Sequence, residues 1–345
     1  MAIQADNIAD LILQTQKDLG ELKWTMIATN LQKYTRLPQL LKKDSVELQG
    51  GVGIQWNIQV RLTGSARMTG LYDTDSISTQ DVNIVASVPW RHATANYSID
   101  ERAIKMNSGK YQIINLLKQK RISALTDMAE LMEQQGWSKP TDSTDTDNAF
   151  GIPYWIVKNS SKGFNGGNPA GFPSGCGGVS SATYPNWSNW TDTYSAISKN
   201  DLVPALKEAW IKTKFTPPVP HPQYGTQPTV NNYGLYTVYS VIDGLEKLAQ
   251  DQNDSLGNDL TKYMGDTYLF GRVPVTWVPY LESDTTAPIY GINWGEFKSV
   301  WLAGEYMKES PPVKSPTQHR TQVVFIDCTF NFICYNRRSH FVIYK

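Results

Sequence analysis

Residues 53 to 64, GIQWNIQVRLTG, set Ile54, Trp56, Ile58, Val60 and Leu62 against Gln55, Asn57, Gln59, Arg61 and Thr63. That strict two-residue alternation predicts a strand with one apolar face. After a Gly-, Ser- and Asp-rich interval, GSARMTGLYDTDSISTQ, a second extended run covers residues 82 to 99, VNIVASVPWRHATANYSI. Together they predict a hairpin whose connection, about 17 residues, is longer than a chain reversal needs. A two-stranded ribbon is marginal alone and needs a surface to lie on. A neighbouring subunit can supply that surface.

The period then lengthens. From residue 109 to about 135, Ile113, Leu117, Ala124, Leu125, Met128, Leu131 and Met132 mark one face of a helix, with Asn107 or Ser108 as cap and Gly136 as stop. At about 1.5 Å per residue it spans roughly 40 Å. Residues 3 to 32 carry Ile8, Leu11, Ile12, Leu19, Leu22 and Met26 at helical spacing, broken by Gly20, and predict an amphipathic N-terminal arm. Shorter helices are expected at about 199 to 214 and from Val241 to about Gln250, on either side of the Pro-rich TPPVPHPQYGTQP and the strand YGLYTVYS. The last hundred residues read as extended segments. They close on TQVVFIDCTFNFICYNRRSHFVIY, a strand pair whose Val, Ile, Phe and Tyr suit the centre of a sheet.

Between helix and sheet lies DTDNAFGIPYWIVKN, residues 145 to 159, where an acidic string opens onto an apolar one. Ile152 to Val157 is expected to be a buried strand with Pro153 at its start. The Gly- and Ser-rich segment after it, 160 to 183, is expected to be a variable surface loop.

Charge narrows the function classes. Lysine plus arginine and aspartate plus glutamate both total 32 in 345 residues, a balance unlike that of a dedicated nucleic-acid binder. Cys176, Cys328 and Cys334 are odd in number and lack a CxxC spacing, which suits inert free thiols in a reducing compartment. The start, MAIQADNIADLILQTQKDLG, has no uninterrupted apolar core and is not expected to be a secretory signal. No window approaches about 18 apolar residues, so no membrane span is expected.

Candidate chemistry is sparse. No phosphate-loop, dinucleotide, zincin or nucleophile-elbow motif occurs, and His92, His221, His319 and His340 are far apart in sequence. Asp142, Asp145 and Asp147 invite a cation but lack the Gly and closing Glu of a calcium loop, so a solvated turn is expected. NRRSH, 336 to 340, reads as a salt-bridged strand end in preference to a phosphate contact. Tyr184, Trp187 and Trp190 suit either a sugar-stacking platform or an anchor for their own loop, and anchoring is the expectation. Neither catalytic residues nor a metal or cofactor are expected.

The order of arm, long hairpin, long helix, loop-rich lobe and closing strands resembles that of the major capsid proteins of tailed bacteriophages, the Hong Kong 97 type of fold. VPWRHATANYSIDERAIKMNSGKYQIINLLKQK is similar to the passage from extended loop to spine helix in that family. DTDNAFGIPYWI, GFNGGNPAGF and FNFICYNRRSHFVIY resemble further stretches of it. The resemblance covers most of residues 45 to 345 and implies an α+β fold. It implies an N-terminal arm at 1–48, an extended β-hairpin loop at 49–98 and a peripheral domain with the spine helix at 99–141. An axial domain follows at 142–317, with the C-terminal strands, 318–345, returning to the peripheral sheet. It implies self-assembly through pentamers and hexamers into an icosahedral head around double-stranded DNA, held without sequence preference. The place implied is the virion head, assembled in the bacterial host cytoplasm without a membrane. Trp56, Arg61, Arg67, Met68, Leu71, Tyr72, Trp90 and Arg91 are the expected contacts between subunits. A short arm implies a separate scaffolding protein; a portal and a decoration protein are further partners. No lysine–asparagine cross-link is expected, since no glutamate matches the one that would catalyse it. An encapsulin-like compartment shares the fold, and a soluble enzyme or carbohydrate-binding protein is the alternative of another class.

Overall fold

The computed structural model describes residues 46–64, 66–72, 74, 82–102, 110–214, 233–250, 267–270 and 273–345. The arm expected at 3–32, the helix cap at 107–108, the Pro-rich segment and His221 lie outside them.

Strands β1 (Val46–Leu48), β2 (Gly53–Gln59), β3 (Asn83–Pro89) and β4 (Arg91–Asp100) precede helix α1 (Lys110–Gly136). β2 and β3 form a separate two-stranded ribbon. β4 instead pairs, over its whole length, with the long strand β14 (Thr321–Cys334), from Asp100↔Thr321 to Arg91↔Phe330. The hairpin therefore ends at Pro89 and not at residue 98. Proline cannot donate to a ladder, and at Trp90 the chain leaves one sheet for another. Along its other edge β14 takes β13 (Val313–Lys314), β12 (Lys308–Glu309) and β11 (Phe297–Leu302) in turn, and β1 adds to β11 in parallel. Val324, Ile326 and Cys328 alternate inward beside Tyr97, Ala95 and Ala93, and α1 covers that face. The helix buries Ala124, Leu125, Met128 and Met132, as its spacing predicts, and Arg121 reaches across to Glu309 of β12 at 2.6 Å.

A second, seven-stranded sheet runs β5 (Gly163–Gly166), β6 (Asn189–Thr193), β15 (Phe341–Tyr344), β10 (Ile289–Asn293), β7 (Tyr233–Thr237), β9 (Val273–Trp277), β8 (Thr267–Phe270). Every residue of β7 and β10 is buried, because both faces are covered. On one face α3 (Leu202–Thr213) packs over β6 and β15, with Trp210 4.8 Å from Tyr233, and α4 (Tyr239–Gln250) over β8 and β9. On the other, Trp137 at the end of α1 meets Tyr236 and Tyr290 at 5.4 and 6.3 Å. Gly291 is required here: a Cβ would sit 2.2 Å from the Phe341 ring.

The closing strand pair does not stay together. β14 belongs to the six-stranded sheet and β15 to the seven-stranded one, so residues 318–345 do not return to a single sheet, and β11 to β13 fall on the six-stranded side of the expected boundary at 317. Alternation identifies a strand but not its partner. Two short crossings join the sheets, residues 294–296 and 335–340, and they bond each other through Tyr335 N–H to Glu296 O at 2.9 Å. Burial pushes the Glu296 carboxyl up to about 7, with Lys298 pulling back. His340 is fully buried, accepts the Asn293 N–H at 3.0 Å, and is pushed down to about 3 by that burial, helped by Arg337. Aromatic rings run through the first crossing without a break: Tyr236, Trp294, Phe297, Phe332, Phe330 and Trp301 are each 5.1 to 5.9 Å from the next.

Candidate functional site

Ile152–Trp155 forms one helical turn, α2, where the sequence predicts a strand. Pro153 fits the first turn of a helix, where its missing N–H is no loss, and Gly151 allows the close approach that sets the turn. A Cβ at Gly151 would lie 2.3 to 2.6 Å from the carbonyl oxygens of Ser138, Gln135 and Gly136. α2 thus seats Trp155 under the ribbon.

The ribbon rests on its own chain. Ile54, Ile58, Ala86 and Val88 are buried, Trp56 packs on Trp155 at 5.8 Å, and Ser87 N–H donates to Gly177 O at 2.9 Å. Gly177 adopts φ +62, and a side chain there would press on Trp155 and Ala86. Trp90 Nε1 donates to Gly51 O at 2.9 Å and closes the base.

Beyond Val60, the last buried residue, the situation reverses. Leu62, Met68, Leu71 and Tyr72 are 81 to 100% exposed, and Tyr72 holds φ +75. Ten large apolar side chains are exposed among the described residues, and six of them lie on the ribbon or its connection (Leu62, Met68, Leu71, Tyr72 and Val85) or at its base (Val52). More than half of the exposed large apolar side chains of the described residues are thus gathered at one place.

The eight expected contact residues divide accordingly. Met68, Leu71 and Tyr72 stand bare, with Arg67 donating to Thr74 O within the connection at 2.6 Å. Arg61 lies 5.3 Å over the Tyr184 ring, and Trp56 and Trp90 are engaged as above. Arg91 is turned inward, a correction to its expected role: it donates to Asn148 O at 2.8 Å and Asp145 O at 2.5 Å and lies over Phe150. Burial lowers its pKa, against the opposing pull of Asp145 and Asp147.

The glycine-rich segment is no loose loop. Arg337, fully buried, donates to the carbonyls of Trp155, Trp187, Gly166 and Gly167 and to Asn189 Oδ1, at 2.7 to 3.2 Å. The expected salt-bridged strand end is therefore wrong: the partners of Arg337 are carbonyl and amide oxygens, and Arg338 turns outward to Asn186 Oδ1 at 2.8 Å. Trp187 and Trp190 are buried and anchor the loop, Trp187 donating to Cys176 O at 3.1 Å. All three cysteines are buried free thiols, and burial pushes Cys176 up to about 11 and Cys328 up to about 12. The acidic string folds around Asp145, whose carboxylate accepts from Asn148 Nδ2 and from the N–H groups of Thr141, Asn148 and Asp147, holding it far below the usual range. Nothing in the local sequence signals the role of Arg337.

This architecture recurs among solved structures. The cyanophage A-1(L) capsid asymmetric unit contains a chain that aligns with TM-score 0.62 over 90% of this chain and 92% of its own, at 14% identity. The chain has the fold of tailed-phage capsid proteins. The same capsid fold aligns with the capsid of the native GTA particle (TM-score 0.54, 11% identity, 90% and 89% covered) and of Myoviridae phage XM1 (0.51, 11%, 89% and 91%). No family model and no curated protein matches the sequence. At such identities it is the fold that the likeness shows. No described helix is long and apolar enough to cross a membrane.

Proposed function

We propose that the chain is the major capsid protein of a tailed phage, a structural and non-enzymatic subunit that assembles into the icosahedral shell around double-stranded DNA. The observation that carries this is the contrast within the capsid fold between a body whose glycine-rich segment is held by the buried Arg337 and a hairpin connection that bares Met68, Leu71 and Tyr72. In this reading α1 and the six-stranded sheet are the peripheral domain, and the seven-stranded sheet with α2 to α4 is the axial domain. The contact set narrows to Arg61, Arg67, Met68, Leu71 and Tyr72, with Trp56, Trp90 and Arg91 holding the ribbon to its own subunit. Pentamers and hexamers, a separate scaffolding protein, a portal and a decoration protein are the partners, and the host cytoplasm is the place of assembly. The zero net charge suits a shell that confines DNA by geometry.

Negative-stain microscopy of the purified protein tests it. Closed polyhedral shells are expected; a persistent monomer by light scattering, at every concentration and with scaffold added, overturns the proposal.

A further inference from the structure

Four exposed large apolar residues lie away from the hairpin, and two of these, Ile211 and Tyr239, sit one on each helix of the seven-stranded sheet, 68% and 61% exposed. The helices lie over opposite ends of the strand order, α3 at β6 and β15, α4 at β8 and β9. Their exposed faces carry opposite charge. Lys207 and Ile211 on α3, and Lys214 just past its end, follow one another at helical spacing on the side away from buried Leu202, Leu206 and Ala209. Lys207 has no carboxylate partner among the described residues, and Lys214 lies 4.3 Å over Trp210. The α3 acid, Glu208, is taken by Lys162 at 2.6 Å, so the outward stripe stays basic.

On α4, Gly244 faces the segment that leads into α3: a Cβ there would be 2.8 Å from Ile197. Tyr239 and Glu246 lie roughly half a turn from Gly244, on the flank turned away from Ile197. Glu282 joins them, its Oε1 accepting the Tyr239 N–H at 2.7 Å and the Trp277 indole N–H at 2.6 Å. Lys247 is held by Asp243 at 2.6 Å, which leaves Glu246 and Glu282 as the charges of this flank among the described residues.

We infer that a second copy of this chain docks here, head to tail, the Lys207–Ile211–Lys214 face of α3 on one copy against the Tyr239–Glu246–Glu282 flank of α4 on the next. A contact between two different patches of one molecule propagates, and it closes into a ring when the rotation per copy divides a full turn. The inference rests on the shell reading and assigns the ring contact of its axial domain. Charge of opposite sign at the two patches steers encounter and fixes register, while Ile211 and Tyr239 supply apolar area at the centre.

The full-length chain carrying both Ile211→Cys and Tyr239→Cys tests it, because the three native thiols are buried. Assembled particles treated with diamide, which takes up the two electrons and two protons of each thiol pair, are expected to give a non-reducing ladder that stops at pentamer and hexamer. A second arm reverses one patch, Lys207→Glu with Lys214→Glu, and is expected to lower particle yield about tenfold, with recovery when Glu246→Lys and Glu282→Lys are added. Assembled particles that give no cross-linked species, or a one-sided reversal that assembles like the parent, overturn the inference. If the parent protein itself makes no particles, the shell reading fails first, and the ladder from soluble oligomers still decides the contact.

Discussion

Two long irregular segments, the glycine-rich 160–188 and the hairpin connection 60–74, have similar polar, glycine-rich sequences and opposite fates. The first is pinned from distant parts of the chain, by Arg337 on the carbonyls of Gly166, Gly167 and Trp187 and by the Ser87 N–H on Gly177 O, and from within by Trp187 on Cys176 O. The second keeps Arg67 bonded to Thr74 inside itself and turns Leu62, Met68, Leu71 and Tyr72 to solvent. A loop becomes part of a body when buried polar groups elsewhere are satisfied by it. Without that, its apolar residues remain available to another chain.

The largest test of this contrast is Arg337→Met. Removing the guanidinium takes a buried donor from four carbonyls, while Asn189 Oδ1 keeps the Val157 N–H, and urea unfolding is expected to show a loss of about 4 kcal/mol or more. A loss below about 1 kcal/mol would mean that packing alone holds the loop.

Next comes the crossing that carries Arg337. Glu296 is held protonated up to about 7 against an ordinary 4.5, so its contribution is fully present below about 4.5 and is lost as pH rises toward 7, on the order of 3 kcal/mol in all. His340, pushed from 6.5 to about 3, acts in the opposite sense: stability falls as pH drops below 6.5. Between about 4.5 and 6.5 the two slopes oppose each other, and for these two groups the parent protein is expected to be nearly flat. Glu296→Gln removes one slope. The variant is expected to gain stability at neutral pH and lose it steadily on acidification across that window, as followed by thermal melts.

Smaller again is Trp56→Ala, which breaks the half-buried contact with Trp155 at a cost of about 2 kcal/mol. Faster hydrogen exchange at the Ser87 amide would locate that loss at the ribbon; unchanged exchange would show that the ribbon does not depend on Trp155. Smallest for stability is Met68→Ser with Leu71→Ser and Tyr72→Ser, within about 0.5 kcal/mol. Particle formation by the same variant is nonetheless expected to fail. Normal shells from this variant would break the comparison at its functional end.

Legibility followed distance along the chain. The alternation from Ile54 to Val60 and the helical face from Ala124 to Met132 are local periods, and both stand in the fold as read. The α2 turn was misread because Ile152 to Val157 is equally apolar as strand or helix, and only the crowding at Gly151 chooses. Arg337 and Trp155 are 182 positions apart, so no window holds both. Within the contact set, exposure of Met68, Leu71 and Tyr72 was readable from a Gly- and Asp-rich setting. The inward turn of Arg91 depended on where residues 145–148 came to lie.

The unbroken file of rings from Tyr236 to Trp301 has a mechanical meaning. Two sheets joined by short peptide crossings alone could flex like hinged plates, but close-packed aromatic rings across the joint resist both bending and shear. The body should deform as a stiff tile and melt in a single calorimetric peak. In a shell of the kind proposed, curvature then has to be set at the rims of the subunits.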